Sequence, residues 1–243
     1  MLATTVSWEI HEELRTLDIS DTSISDVAIA QRKFRLGQAA SWARWGNTTY
    51  DLAPITADNE DEFQSLAPMT TSVVFLGLNW GGTEVGKDIK DWQNFHAERH
   101  GGDTRLKKSL PAALDEIPHE QGVAAPAPYM TDVFKLAPTR DAKDLKKKAK
   151  EDHNLVQRCA DLLQTELEIC TRGNNGVPPL LIAFGNAAYY WLSGEGNGRA
   201  PFASALSRVY GDTPRIEKII HGAAPRPNAM RTEQLISIFK KHF

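Results

Sequence analysis

Four apolar runs stand out along the chain, and each stops at a turn marked by glycine or proline. They are Ser72-Val73-Val74-Phe75-Leu76 before Gly77, Tyr129 to Lys135 before Pro138, Leu180-Leu181-Ile182-Ala183-Phe184 before Gly185, and Ile216 to Ile220 before His221-Gly222. A continuous run such as Ser72–Leu76, rather than an alternating one, predicts a central parallel strand covered on both faces. Between them the pattern changes to helical spacing. Leu155, Val156, Cys159, Leu162, Leu163 and Leu167 recur at i, i+3/i+4 within a predicted helix from Asp141 to Cys170. Shorter helices are predicted over Leu106–Leu114, Ala187–Leu192 and Thr232–Lys240, and Gly122–Pro128 reads as a linker.

Residues 1–70 predict helices joined by polar loops. Ser7 can cap a helix carrying Trp8, Leu14 and Leu17; a second follows Ser25 with Val27, Ile29, Ala30, Phe34 and Leu36; Asp58–Glu62 reads as an acidic loop. Strands alternating with helices predict an α/β fold, three-layer α/β/α with a mostly parallel four-stranded central sheet. No repeat or second-domain boundary breaks the pattern, so residues 1–243 are expected to form one domain.

Composition narrows the function classes. The 243 residues carry 41% hydrophobic and 24% charged side chains, as ordinary globular proteins do. No window approaches the ~18–20 apolar residues of a membrane span, and Met1–Val6 lacks a signal-peptide pattern, so a cytoplasmic protein without membrane partners is expected. Cys159 and Cys170 sit about 16 Å apart by helical rise, too far for a disulfide. Without a C-x-x-C pair, no cysteine-ligated metal or other cofactor is expected. A net charge of −3 argues against a protein that coats nucleic acid, though not against one local basic patch.

In open parallel sheets ligands sit beyond the carboxyl ends of the strands. Gly77-Leu78-Asn79-Trp80-Gly81-Gly82 follows the first run, Leu136-Ala137-Pro138-Thr139 the second, and His221-Gly222-Ala223-Ala224-Pro225-Arg226-Pro227-Asn228 the fourth. Taken singly these residues have plain explanations. A histidine at a strand end can bond a backbone carbonyl, and Asn in a glycine-flanked turn tolerates αL geometry.

Taken together the segments resemble the uracil-DNA glycosylase superfamily. Its first motif reads like GxNPG or GxDPxH, and its last begins with His after an apolar strand. Tyr129–Lys135 is similar to the Tyr-x-Thr-Asn-Val-Val-Lys strand of the thermostable bacterial branch, and LLIAFGNAA at 180–188 to that branch's third strand and turn. HGAAPRPNA from His221 is closer to the HPSPRNPxA text of the single-strand-selective branch. The similarity spans residues 72–240 in order. It departs where Trp80 replaces Pro, where Gly222-Ala223 replaces Pro-Ser, where iron–sulfur cysteines are missing, and where Asp132 replaces Asn.

The resemblance implies hydrolysis of the N-glycosidic bond of a flipped-out deaminated or damaged base, as in base excision repair. His221 would donate to the base oxygen and Asn79 would orient water, since an amide is a poor base. Gly77, Leu78, Trp80, Phe95, Asp132 and Arg226 would contact the substrate, with Phe95, Trp92 or Trp80 as the stacking ring. DNA, single-stranded or locally opened, would be the partner. Arg226, Arg231 and Arg215 are the better phosphate candidates; Arg99, His100, Arg105, Lys107 and Lys108 form a looser basic stretch. Lys143, Lys146, Lys147, Lys148 and Lys150 read as a solvated helix face. Two alternatives stay open: a catalytically silent protein of the same fold binding nucleic acid or nucleotide in that cleft, and an enzyme of free nucleotides. The latter lacks a phosphate-loop spacing.

Overall fold

The computed structural model describes residues 3–20, 33–81, 89–98, 100–136, 138–139, 142–152, 154–193, 199–211 and 213–243. The predicted helix after Ser25 lies mostly outside the described residues, as do Gly82, Arg99 and Ala137. A five-stranded sheet forms the middle layer, in spatial order β1-β3-β2-β4-β5. Its strands are β1 (Ser41–Trp42), β2 (Met69–Asn79), β3 (Ala127–Phe134), β4 (Leu180–Phe184) and β5 (Ile216–Ile219). β2 to β5 pair in parallel, and only the two-residue β1 runs antiparallel, against β3. The four apolar runs are thus the four parallel strands. The fifth strand was not expected, because two residues are too short to carry a period.

Side-chain alternation along β2 explains the layers. Val74 and Leu76 face one apolar cluster with Leu163, Leu167, Phe202 and Leu206; Val73 and Phe75 face another with Leu106, Leu110, Leu235 and Phe239. Both faces of a central strand must be apolar when helices cover both. The first cluster belongs to α7 (Leu155–Gly173) and α9 (Ala200–Tyr210), the second to α4 (Gly101–Ser109), α5 (Pro111–Leu114) and α10 (Asn228–His242). The other helices are α1 (Trp8–Thr16), α2 (Leu36–Ala39), α3 (Glu60–Ser65), α6 (Ala142–Glu151) and α8 (Gly185–Leu192).

Local chemistry accounts for several departures from the expected elements. The expected acidic loop starts α3, because the Asn59 side chain accepts from the Glu62 N–H and caps it. The expected helix from Asp141 is two helices. The Asp152 carboxylate accepts from the N–H groups of Asn154 and Leu155, ending one helix and capping the next. Pro111 likewise divides the expected Leu106–Leu114 helix. The expected linker's last two residues, Ala127 and Pro128, begin β3. α9 was not expected at all. Ser7 caps α1 as predicted, and both cysteines are buried free thiols. Among the described residues no helix is long and apolar enough to cross a membrane.

Candidate functional site

The strand order reverses direction at β2: the chain steps to β3 on one side, then crosses to β4 on the other. Such a switch point opens a crevice at the strand ends. A cleft of about 990 Å³ lies there, lined by Gly77 to Gly81 from the end of β2, Asp132 from β3, Phe184 from β4, and His221 and Gly222 beyond β5. Its outer wall comes from residues around 93–98 and the start of α4. A smaller cleft of about 410 Å³ lies between α1 and α3, away from these strand ends.

Asn79 and His221 line the same cleft. The Asn79 amide NH₂ donates to the Thr139 carbonyl and to its hydroxyl at 2.8 Å. A carbonyl can only accept, so this contact fixes the amide's orientation and leaves Oδ1 as its available acceptor. At His221 the Ala223 N–H donates to ring Nδ1 at 3.1 Å. Nδ1 therefore carries a lone pair, and the neutral ring holds its proton on Nε2. His221 is exposed at the cleft mouth, yet desolvation by the surrounding atoms, with His100 and Arg231 nearby, lowers its pKa and favours that neutral form.

The floor is built by register. Gly77 pairs with Asp132 across β2 and β3. A Cβ on Gly77 would lie 2.1 Å from Asp132 Oδ1 and 3.3 Å from the Phe95 ring, so only glycine leaves room for the carboxyl and ring to meet there. Asp132 Oδ2 accepts from Asn94 Nδ2 at 2.8 Å, and the same amide donates to the Ala39 carbonyl. Burial pushes the Asp132 pKa up to about 7, against the opposing pull of Asn94 and Lys135. Phe95 has φ +64° and Trp92 φ +62°, sparsely populated for aromatic residues, so this wall segment carries local strain.

A second polar pair faces the cleft from α4. His100 Nδ1 lies 2.6 Å from Asp103 Oδ1, while Asp103 Oδ2 accepts from the Ala97 N–H. Asp103 is buried, His100 is exposed, and the hydrogen bond to Asp103 raises the His100 pKa.

The lip bearing His221 is held chiefly by one side chain. The Arg231 guanidinium is fully buried and donates to the carbonyls of His221, Gly222, Ala224 and Arg226 and to the Asn228 side chain. Arg105 adds bonds to the Gly222 and Ala223 carbonyls. Gly185, at φ +85°, lets α8 start against His221; a Cβ there would sit 3.0 Å from that of His221.

Several expected assignments are corrected. Arg231 is an internal clamp, not a phosphate ligand. Arg215 precedes β5 and donates to the Pro178 carbonyl, at the opposite end of the sheet from the cleft. Arg226 is exposed but is not among the residues lining the cleft. Lys107 is tied to the carbonyls of Gly46 and Asn47. Trp92 is a fully buried core ring beside Trp42 and His11, and Trp80 is 5% exposed and packs edge-on to Phe34, so neither offers an open stacking face. Phe95, half-buried, is the ring that reaches the Gly77–Asp132 floor. Leu78 is half-buried at the cleft wall.

Asn94 and the pairing of His100 with Asp103 were not anticipated as parts of the site, and Thr139 was expected there only as a member of the segment after the second run, without its bond to Asn79. Their partners lie in other elements or hide behind an ordinary helix start. Only the i, i+3 spacing of His100 and Asp103 could have signalled the pair. Among the described residues no cluster of three His, Cys, Asp or Glu is placed to hold a metal ion. Comparison with protein-family models, curated proteins and solved structures finds no match to this chain.

Proposed function

We propose that the chain is a DNA glycosylase-like hydrolase that cleaves the N-glycosidic bond of an extruded, deaminated or otherwise damaged base. The observation that carries this reading is the chemistry converging in one cleft: an oriented Asn79 Oδ1, a His221 Nε2–H donor, and the Phe95–Asp132 floor over Gly77. Breaking a nucleotide's C1′–N bond sends its electron pair onto the base while positive charge grows on the sugar. Asn79 Oδ1 accepts a hydrogen bond from water and holds it for attack on C1′. The His221 Nε2–H donates to the base oxygen on which negative charge develops. Phe95 stacks on the extruded base, and Asp132 meets its polar edge. Arg226, exposed on the His221 loop outside the cleft lining, would meet the flanking backbone rather than the base.

Oligonucleotides carrying uracil, hypoxanthine or a mismatch, single- and double-stranded, test the reading. Wild type should generate alkali-labile abasic sites, and His221→Ala should slow their formation on the order of 10²–10³-fold in single turnover. A second reading has its own support. With Arg231 and Arg215 committed to backbone carbonyls and Asp103 and Asp132 in the cleft wall, the site is less cationic than a strong DNA binder needs. A silent protein that binds a nucleotide there would show binding without base release. Neither binding nor release would overturn both readings.

A further inference from the structure

We propose that His100, oriented by Asp103, is the proton donor of this cleft, a catalytic residue that protonates the departing base while His221 only hydrogen-bonds to it. This role rests on the glycosylase reading above and names a group that reading leaves out.

The two imidazoles are held in opposite states. His221 accepts at Nδ1, so its only proton is on Nε2. Giving that proton away would leave an imidazolate, far too basic to form near neutrality. His221 can therefore polarise a base oxygen but cannot transfer a proton to it. His100 is the reverse case. Its Nδ1 faces the Asp103 carboxylate at 2.6 Å and keeps its proton, so the imidazolium can release its Nε2 proton and end as a neutral ring still bonded to Asp103. Asp103 is buried and anchored by the Ala97 N–H, which fits it for orienting an imidazolium. Among the described residues His100 Nε2 has no partner, and His100 lines the same cleft as His221.

Packing puts the two groups side by side. A Cβ on Gly102 would lie 2.8 Å from the His100 ring and 3.4 Å from the Ala223 nitrogen; one on Gly222 would lie 3.0 Å from the Gly102 carbonyl. The start of α4 therefore abuts the His221 loop directly, and two glycines permit the approach. Among the described residues the charged groups around His100 are Asp103 and Arg105 on the helix it caps, Glu98 in the preceding segment, His221 and Arg231 across the loop, and Asp132 on β3. Environments that push two neighbouring titratable groups apart mark an acid and its companion: His100 is raised and His221 lowered.

In the step proposed, C1′–N breaks with its electron pair on the base, and His100 Nε2 gives its proton to that base. Water adds to C1′ and releases one proton to solvent, and solvent returns one to His100. The sum is nucleotide plus water giving an abasic sugar hydroxyl and the neutral base.

The test compares wild type, His100→Gln and Asp103→Asn in single-turnover base release from about pH 5.5 to 8.5. The probe is a single-stranded oligonucleotide bearing uracil or hypoxanthine, whichever the wild type releases faster. Histidine side-chain NMR titrations accompany it. Wild-type release should decline tenfold per pH unit above the His100 pKa. His100→Gln should be about 10²-fold slower at low pH and should lose the decline that tracks the His100 resonance, keeping only the change that Asp132 ionisation near pH 7 sets. Asp103→Asn should move both the decline and the His100 resonance to lower pH; it keeps the question decidable if the His100 variant misfolds. Equal rates and profiles in wild type and His100→Gln overturn this role alone, as does a profile that ignores Asp103→Asn. A wild type that releases neither base overturns the glycosylase reading and this role with it.

Discussion

The two lips of the cleft are built on different principles. The Asn79 lip is an extension of the sheet: the Trp80 N–H donates to the Phe134 carbonyl, the Thr139 N–H to the Trp80 carbonyl, and Asn79 itself closes onto Thr139. The His221 lip has left the ladder and is gathered by a single buried guanidinium bonded to four of its own carbonyls. A lip of the first kind depends on backbone pairing that many residues share. A lip of the second kind depends on a few side chains, Arg231 first and Arg105 beside it, and is accordingly easier to lose.

The most severe test is Arg231→Met. It removes the clamp, leaves the Gly222 carbonyl buried without this partner and frees three part-buried ones, and should cost on the order of 3 kcal/mol in urea denaturation while abolishing base release. A cost below about 1 kcal/mol would mean the loop is held elsewhere. Asn79→Ala should spare stability by comparison, losing about 1 kcal/mol, yet slow base release on the order of 10²-fold. An unchanged rate would move water positioning to another group.

The floor between these lips gives a pH test. The Asp132 pKa is raised from its ordinary 3.8 to about 7. A raised acid favours folding below its unfolded pKa, and that contribution is lost as pH climbs through the folded value. The stability of wild type relative to Asp132→Asn should therefore fall between about pH 4 and 7, by a few kcal/mol at most. Parallel stability curves for the two proteins would show that Asp132 is not buried as a neutral acid. The same pair tests base choice. Asn offers a donor and an acceptor to a uracil edge, whereas an ionised Asp132 offers only acceptors, so the Asn variant should release uracil faster. Equal excision would remove residue 132 from base reading. The smallest effect expected is from Phe95→Ala, which should weaken oligonucleotide binding by about 1–3 kcal/mol through lost stacking.

What could be read in advance follows from how local the signal is. The four parallel strands were legible because apolar runs ending at Gly77, Gly185 or Pro138 depend on neighbours in sequence. Asn79 and His221 were legible as strand-end residues for the same reason, whereas Asp132, inside its strand, was singled out only through the resemblance. Asn94, β1 and the bond of Thr139 to Asn79 were not legible, because each depends on a partner dozens of positions away. Arg231 was misread although a clue was present. It shares the stripe of Leu235, Ile238 and Phe239 at i, i+4, i+7 and i+8, so its side chain had to point inward. α9 went unseen although Phe202, Ala205 and Leu206 carry the same spacing.

Beneath Asp132, Lys135 reaches its backbone carbonyl and pairs at 2.7 Å with Glu166 of α7, which also accepts from the Tyr129 hydroxyl. Both charges are almost completely buried. Neither can be wetted alone without leaving the other uncompensated in the core. The end of β3 and the middle of α7 are thereby riveted into one cooperative unit. Their slowest backbone amides should exchange with deuterium together, at the free energy of global opening rather than by separate fraying of strand or helix.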